Sequence, residues 1–96
     1  MIDKKEAYKI ITDYFKDKPV KKIQVFGSFA RGEQGEGSDI DILLEMEHPV
    51  GLMALARYRL ELEDLTNLEV DLGTSKGVSK YARPYIERDL ETVYEK

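Results

Sequence analysis

The feature that most constrains this chain is a pair of aspartates set into an apolar run, within the stretch GSFARGEQGEGSDIDILLE that spans residues 27–45. The run alternates as a β-strand does, because successive side chains of a strand point to opposite faces. Ile40 and Ile42 then share one face. Asp39 and Asp41 share the other face. The strand must therefore divide its two faces between a hydrophobic core and a polar site.

Hydrophobic periodicity and turn residues around this strand predict a small α/β domain of the α+β kind, with the order α-β-α-β-α-β-α. Helices are predicted over 3–16, as a short turn from Ser28, over 52–66, and from about Pro84 onward. Strands are predicted over 21–26, 39–46 and 68–72, which gives a mixed sheet of about three strands packed with helices. The length of 96 residues fits one domain spanning residues 1–96.

Residues that favour helix ends support these boundaries. Asp3, with Glu6 three residues later, resembles a capping box in which Asp takes the Ser/Thr place. Asn67 is a suitable stop for the helix over 52–66. That helix is predicted to present a broad apolar face formed by Leu52, Met53, Leu55, Ala56, Leu60, Leu62 and Leu65.

The composition excludes several classes of site. The chain has no cysteine and one histidine, so thiolate zinc sites, thiol nucleophiles and histidine-based cages or triads lack their residues. The net charge of −4 argues against direct binding of nucleic acid, which needs a basic surface. The N-terminus lacks an apolar signal core, and no apolar run reaches the roughly 18 residues of a membrane span. We therefore expect no membrane association and a cytoplasmic location.

Asp39 and Asp41 suit a shared divalent cation. Their Cα atoms should lie about 6–7 Å apart on one face of the strand, so that the two carboxylates can converge. Without a cation the carboxylates repel one another, and one of them tends to hold its proton. Ligation by oxygen alone favours Mg²⁺ or Mn²⁺ over zinc.

The expected topology brings further groups to the same place. The loop between the first two strands is too short for a parallel crossover, so these strands should run antiparallel and bring Gly27-Ser28 close to Asp39. The third strand follows a helical crossover and should run parallel to the second, which places Asp71 beside the aspartate pair.

Three carboxylates, a glycine-serine turn and Arg31 would then surround one pocket. Backbone N–H groups at such a turn can hold phosphate oxygens. Three carboxylates can hold two metal ions, which bridge phosphates and activate an attacking hydroxyl. These residues therefore predict metal-assisted phosphoryl or nucleotidyl transfer.

Gly27-Ser28, Asp39-Ile40-Asp41 and the later strand residue Asp71 together resemble the motif of the DNA-polymerase-β-like nucleotidyltransferase superfamily. The short chain and its GSFARG…SDIDILLE run are similar to the minimal nucleotidyltransferases, or MNT proteins, which are paired with HEPN-domain proteins in prokaryotic toxin–antitoxin modules. The resemblance covers nearly the whole chain and implies the nucleotidyltransferase fold. It also implies an antitoxin that transfers AMP from ATP, with Mg²⁺, to a tyrosine hydroxyl of a HEPN-domain toxin, with which it could form a hetero-oligomer.

The resemblance implies a role for each motif residue. Asp39 and Asp41 would bind two Mg²⁺ ions that carry the nucleoside triphosphate. Asp71 would complete the second metal site and help deprotonate the acceptor hydroxyl. Gly27-Ser28 would hold the triphosphate, with Arg31 as a further phosphate contact.

Two other functions are compatible with the sequence. The chain could mask its partner as a non-catalytic antitoxin. It could also be a small-molecule nucleotidyltransferase of the aminoglycoside type, although such enzymes usually carry a second domain that helps to hold the acceptor. The sequence leaves open the acceptor, the base of the nucleotide, the oligomeric state, and whether Tyr81, Tyr85 and Tyr94 lie in the core or on a partner surface.

Overall fold

The computed structural model describes residues 3–30, 32, 39–74 and 90–96 of the chain. These residues form three helices and four strands. In chain order they are α1 (Lys4–Phe15), β1 (Val20–Phe26), α2 (Gly27–Ala30), β2 (Asp39–Met46), α3 (Leu52–Thr66), β3 (Glu69–Thr74) and β4 (Glu91–Glu95).

The described strands form one mixed sheet in the order β3-β2-β1-β4. β1 pairs with β2 in the antiparallel sense, and β3 follows the α3 crossover to run parallel to β2. Both pairings, and the α+β class, are those predicted from the sequence. β4 comes from the C-terminal end of the chain and pairs antiparallel with the other side of β1.

One face of the sheet holds the core, between the strands and helices α1 and α3. The buried side chains alternate along the strands and recur at three- and four-residue spacing on the helices: Ala7, Ile11, Phe15, Val20, Ile23, Val25, Ile40, Ile42, Leu44, Tyr58, Leu62 and Val70. A register shift between Val20 and Lys22 lets Val20 and Ile23 both face the core, although they are three residues apart. Burial of this apolar surface is the main favourable contribution to folding.

Both helix ends that were predicted from capping residues are confirmed. The Asp3 carboxylate accepts a hydrogen bond from the backbone N–H of Glu6 at 2.8 Å, so Asp3 is the N-cap of α1. Asn67 ends α3 with a left-handed φ of 59°, and its N–H donates to the Glu63 carbonyl at 2.8 Å. The Asp3 bond satisfies a backbone N–H that helix α1 itself leaves without a partner, and the Asn67 bond is the last i→i−4 bond of α3.

The C-terminal end differs from the sequence-based expectation. Glu91–Glu95 form strand β4 and not the end of a helix, so the described sheet has four strands instead of about three. Leu90, Val93 and Tyr94 fit helical spacing, but the backbone hydrogen bonds with the distant β1 stabilise a strand, and a local pattern does not reveal them. The earlier part of the predicted helix, from Pro84, lies outside the described residues.

α3 packs against the core with a narrower face than its sequence predicts. The sheet covers only a stripe at four-residue spacing, which consists of Tyr58, Leu62 and Thr66. The fold therefore covers only part of the broad apolar face, and the side chains of Leu52, Met53, Leu60 and Leu65 are exposed. Within the described ranges, no helix combines the length and the apolar composition that a membrane crossing requires.

Candidate active site

The three predicted site aspartates come together on the sheet face opposite the core. In the parallel pairing of β2 with β3, Asp41 lies directly opposite Asp71, and Asp39 lies opposite Glu69. Asp39 and Asp71 are exposed, whereas Asp41 is half-buried. The fold thus brings these aspartates to one place, and their chemical roles stay a prediction.

β1 ends directly beside these carboxylates, at the turn into α2. Phe26 pairs with Asp41, and Gly27 follows with a φ of 78°. The Asp41 carboxylate approaches Gly27 so closely that a Cβ atom added to this glycine would lie 2.5 Å from Asp41 Oδ2. The positive φ favours glycine at this position, and any larger residue would also displace the Asp41 carboxylate.

The short helix α2 is anchored to two other elements. Phe29 is fully buried, and its ring centroid lies 6.3 Å from that of Tyr8 on α1. The Lys4 ammonium donates to the Ala30 carbonyl at 2.9 Å and pairs with Glu91 of β4 at 2.7 Å. Phe29 and Ala30 thus tie α2 to α1, and the Lys4 side chain that bonds Ala30 is itself paired with β4.

The two other predicted phosphate contacts are placed only in part. Ser28 is the second residue of α2, so its backbone belongs to the same turn as Gly27. Arg31 lies outside the described residues. The expectation that these two residues contact phosphate therefore stays a prediction.

The Asp41 carboxyl is partly buried and has two acidic neighbours. Burial, and then the charges of Asp71 and Asp39, raise the pKa of the Asp41 carboxyl above its ordinary value. Each of these causes disfavours the ionised carboxylate in the protein alone, and a cation placed among the three groups would reverse the effect of the two charges. The site is therefore electrostatically suited to bind a cation.

A fourth carboxylate, Glu69, joins the site without having been expected from the sequence. A hydrogen bond with Asp39, followed by the charge of Asp39, raises the pKa of Glu69. Glu69 and Asp71 repeat on β3 the two-residue spacing that Asp39 and Asp41 have on β2. This repeated spacing is the signal in the sequence by which Glu69 could have been found.

The residue types at the site fit magnesium. Among the residues that the structure describes, no three or more His, Cys, Asp or Glu side chains already surround a common ion position. Mg²⁺ is usually held by one or two carboxylates together with substrate phosphates and waters, so part of its ligand set arrives with the nucleotide. Oxygen donors whose negative charges repel one another, as around Asp41, suit such an ion.

An open cleft of about 860 Å³ begins at the carboxylates and extends between the edge strand β3 and the C-terminal half of α3. Its lining consists of Asp39, Arg59, Glu63, Asn67, Leu68, Glu69, Val70 and Asp71. In the sheet order the cleft lies on the β3 side of the aspartates, and the Gly27 turn lies on their β1 side. A ligand that reaches from the turn to the cleft must therefore pass over the carboxylates.

The α3 wall of the cleft is bonded to the edge strand. Glu63 accepts a hydrogen bond from the Val70 backbone N–H at 3.0 Å. The same carboxylate pairs with Arg59, one helical turn earlier, at 3.6 Å. The cleft lining thus combines the Arg59 guanidinium with carboxylates from three elements.

This arrangement can hold a phosphate-bearing ligand between a backbone turn and a group of carboxylates, with an open approach from the opposite side. Displacement at phosphorus needs such a geometry, because the attacking and leaving oxygens lie roughly in line. The carboxylates stand between the two approaches, where cations held by them could neutralise the negative charge on the reacting phosphate.

Two sequence comparisons find relatives of this chain. The profile of the nucleotidyltransferase domain family matches residues 6–92. A candidate protein adenylyltransferase of Methanocaldococcus jannaschii is 42% identical over 83 residues, which cover 85% of this chain and 82% of that protein.

The solved structures that share this fold include two complexes. One is a toxin–antitoxin complex with AMP-PNP, whose matching chain has a TM-score of 0.83 and 21% identity, with coverage of 93% of this chain and 73% of that chain. The other is a tri-AMPylated HEPN toxin of Shewanella oneidensis in complex with an MNT antitoxin, with a TM-score of 0.78, 17% identity, and coverage of 97% and 73%. At these identities the likeness shows a shared fold.

Proposed function

Since this chain belongs to the nucleotidyltransferase domain family, we propose that it is an antitoxin that transfers AMP from ATP to a tyrosine hydroxyl of a HEPN-domain partner, with Mg²⁺ as cofactor. The relative named as a candidate protein adenylyltransferase supports a protein acceptor. The fold shared with a complex that contains AMP-PNP supports ATP as the donor. The fold shared with a complex of an AMPylated HEPN toxin supports the class of partner.

The observation that carries the proposal is the register between β2 and β3. This register sets Asp41 opposite Asp71 on the face away from the core, while the Gly27 turn closes against the same Asp41 carboxylate. The core does not need these charges, because its buried side chains occupy the other face. A reaction on a phosphate-bearing substrate would use both groups, because the carboxylates would hold metal ions and the turn would bind phosphate oxygens.

In the proposed reaction the acceptor hydroxyl oxygen attacks the α-phosphorus of ATP. A bond forms between this oxygen and the phosphorus, the bond from phosphorus to the oxygen that bridges to the β-phosphate breaks, and pyrophosphate leaves. Asp71 takes the hydroxyl proton as general base. The hydroxyl arrives through the cleft, and pyrophosphate departs toward the Gly27 turn.

Each side of the site contributes to this step by position and charge. Backbone N–H groups of Gly27 and Ser28 would bind phosphate oxygens of the triphosphate, with Arg31 as a further contact. Asp39, Asp41 and Asp71 would hold the Mg²⁺ ions, of which three carboxylates can share two. When bound, Mg²⁺ neutralises charge on the reacting phosphates and eases deprotonation of the hydroxyl.

Intact-mass measurement tests the proposal directly. The purified chain is incubated with ATP, MgCl₂ and the HEPN-domain protein encoded beside it, a neighbour that the antitoxin role requires. We expect the partner to gain adenylyl groups that fragmentation assigns to tyrosine, and we expect no gain when EDTA removes the metal. A partner that binds the chain under these conditions and gains no adenylyl group would contradict the proposal.

A double variant separates catalysis from masking. Asp39→Asn/Asp41→Asn keeps the size of both side chains but removes the charge that the metal ions need. The variant should still bind the partner, fail to modify it, and fail to neutralise it. Neutralisation as strong as that by the wild type would show that masking is sufficient.

A further inference from the structure

The exposed side of α3 carries apolar side chains that the core does not use. Leu52 is 83% exposed, Met53 87% and Leu60 53%. Ala56, which is also exposed, lies three or four residues from each of them, so these four residues form one patch on the helix, here called the α3 stripe. Single exposed leucines are ordinary, whereas a contiguous apolar patch marks an interaction site.

The α3 stripe is continuous with the cleft at the carboxylates. Ala56 lies one turn before Arg59, and Leu60 lies one turn before Glu63. Both of these charged residues line the cleft. At 1.5 Å per residue the stripe extends ~12 Å along the helix, and its far end at Leu52 lies ~16 Å from Glu63 in the cleft lining. The apolar surface therefore begins at the cleft mouth and leads away from it.

A protein, and not a small molecule, fits this combined surface. A small acceptor could occupy the cleft but could not also cover side chains ~16 Å along the helix. A protein surface can do both, because protein interfaces commonly include about 20–30 residues on each side. The stripe supplies the apolar contact area, and the cleft leads to the carboxylates at which the acceptor hydroxyl must arrive.

We propose that the α3 stripe is the docking surface for the protein that accepts AMP. The acceptor lies along α3 with an apolar ridge against Leu52, Met53 and Leu60, and its hydroxyl-bearing side chain reaches Asp71 through the cleft. This inference rests on the proposed function, because it assigns the surface that holds the acceptor of that reaction.

The other flank of α3 provides a matched control. Leu65 is 54% exposed, against 53% for Leu60. It lies one turn after Glu61, whose carboxylate accepts a hydrogen bond from the Tyr14 hydroxyl of α1 at 2.8 Å. This flank therefore faces α1 and not the cleft. Leu60→Gln and Leu65→Gln remove the same side chain, at equal exposure, from two sides of one helix.

The test is a steady-state assay of AMP transfer to the HEPN-domain partner, with partner and ATP concentrations varied separately. Leu60→Gln should raise the KM for the partner about tenfold, because a leucine loses its apolar contact. Leu52→Gln/Met53→Gln/Leu60→Gln should raise it further, with the KM for ATP unchanged. Leu65→Gln should leave both constants within about twofold of the wild type, as surface substitutions usually do.

Failure of the docking surface and failure of the proposed function give different results. If the wild type modifies the partner and the triple variant does so with the same KM, the docking surface is wrong and the function stands. If the wild type modifies nothing, the function is wrong, and calorimetric binding of the partner to the wild type and the triple variant still tests the surface. Equal binding by both proteins would overturn it.

A second copy of this chain is the other possible occupant. Light scattering of the wild type and of the triple variant distinguishes this case. If the substitutions dissociate a dimer of the chain while the KM for the partner stays unchanged, the stripe is a self-association surface and the proposal is wrong. A change in the partner KM with no change in molecular mass supports the proposal.

Discussion

The paired strands β2 and β3 have an apolar face and an acidic face. The apolar face stabilises the fold, whereas the charges on the acidic face destabilise it. On the apolar face Ile40 and Val70 are buried against the helices and stabilise the fold. On the acidic face Asp41 lies opposite Asp71, and burial together with its acidic neighbours raises its pKa, so its ionised form opposes folding. Because strand side chains alternate, one pair of strands can serve stability and chemistry at once.

The largest expected effect is on the acidic face. Asp71→Asn should lower the rate of AMP transfer by roughly 10³-fold, because it removes the general base and a carboxylate for the metal. The free energy of unfolding should change by less than about 0.5 kcal/mol, since the Asp71 side chain is exposed. Rate assays and urea titrations measure the two quantities. Asp64→Asn, an exposed aspartate on α3, is the control and should change neither.

Substitutions in the apolar core should instead lower the free energy of unfolding. Leu62→Ala should lower the free energy of unfolding by about 2–5 kcal/mol, because Leu62 is fully buried in the core. Leu65→Ala on the same helix should cost less than about 1 kcal/mol, because that side chain is 54% exposed. Urea titration compares the two variants. Equal losses would mean that α3 packs differently from the fold described above.

Gly27 lies at the end of β1 against the Asp41 carboxylate, and its replacement should affect both stability and activity. Gly27→Ala should destabilise the fold by about 1–3 kcal/mol and reduce AMP transfer, because its Cβ atom would meet the Asp41 carboxylate and its φ is positive. Gly32→Ala has a similar φ of 75° but nothing within 4 Å of the added atom. Gly32→Ala should therefore lower the free energy of unfolding through its backbone angle without reducing AMP transfer. Gly73→Ala, which meets neither obstacle, should change least.

Local patterns predicted much of this fold. The alternation around Asp39 and Asp41 predicted both the strand and its two faces, and the helical crossover predicted the parallel pairing that sets Asp71 beside them. The helix ends at Asp3 and Asn67 followed from their capping preferences. Each of these features depends on residues close in sequence or on a general rule of chain connection.

Features that depend on distant pairing could not be predicted in the same way. β4 pairs Glu91 with Val25, and the spacing of its own apolar residues fits a helix equally well. The composition of α3 does not show which of its apolar residues the sheet covers, and the structure leaves Leu60 and Leu65 more than half exposed. Glu69 was overlooked although its spacing to Asp71 repeats the first aspartate pair.

The smallest predicted effect is a change of stability with pH. The pKa of Asp41 lies above its ordinary value of 3.8, so ionisation of Asp41 costs more in the folded chain than in the unfolded chain. Above the folded pKa, Asp41→Asn should therefore be the more stable protein. As the pH falls through the folded pKa and below 3.8, the wild type binds a proton and the difference should disappear. Urea midpoints of both proteins at about pH 7 and pH 3.5 measure this, without added metal.

The most direct measurement determines both the stability and the activity of one variant, Asp41→Asn, at neutral pH. Unfolding of metal-free Asp41→Asn and its AMP transfer to the HEPN-domain partner, with ATP and MgCl₂, are measured on the same preparation. We expect a free energy of unfolding equal to or above that of the wild type, together with a rate of transfer reduced by roughly 10²-fold or more. A variant that is less stable than the wild type yet transfers AMP at the wild-type rate would contradict the assignment of this face to chemistry.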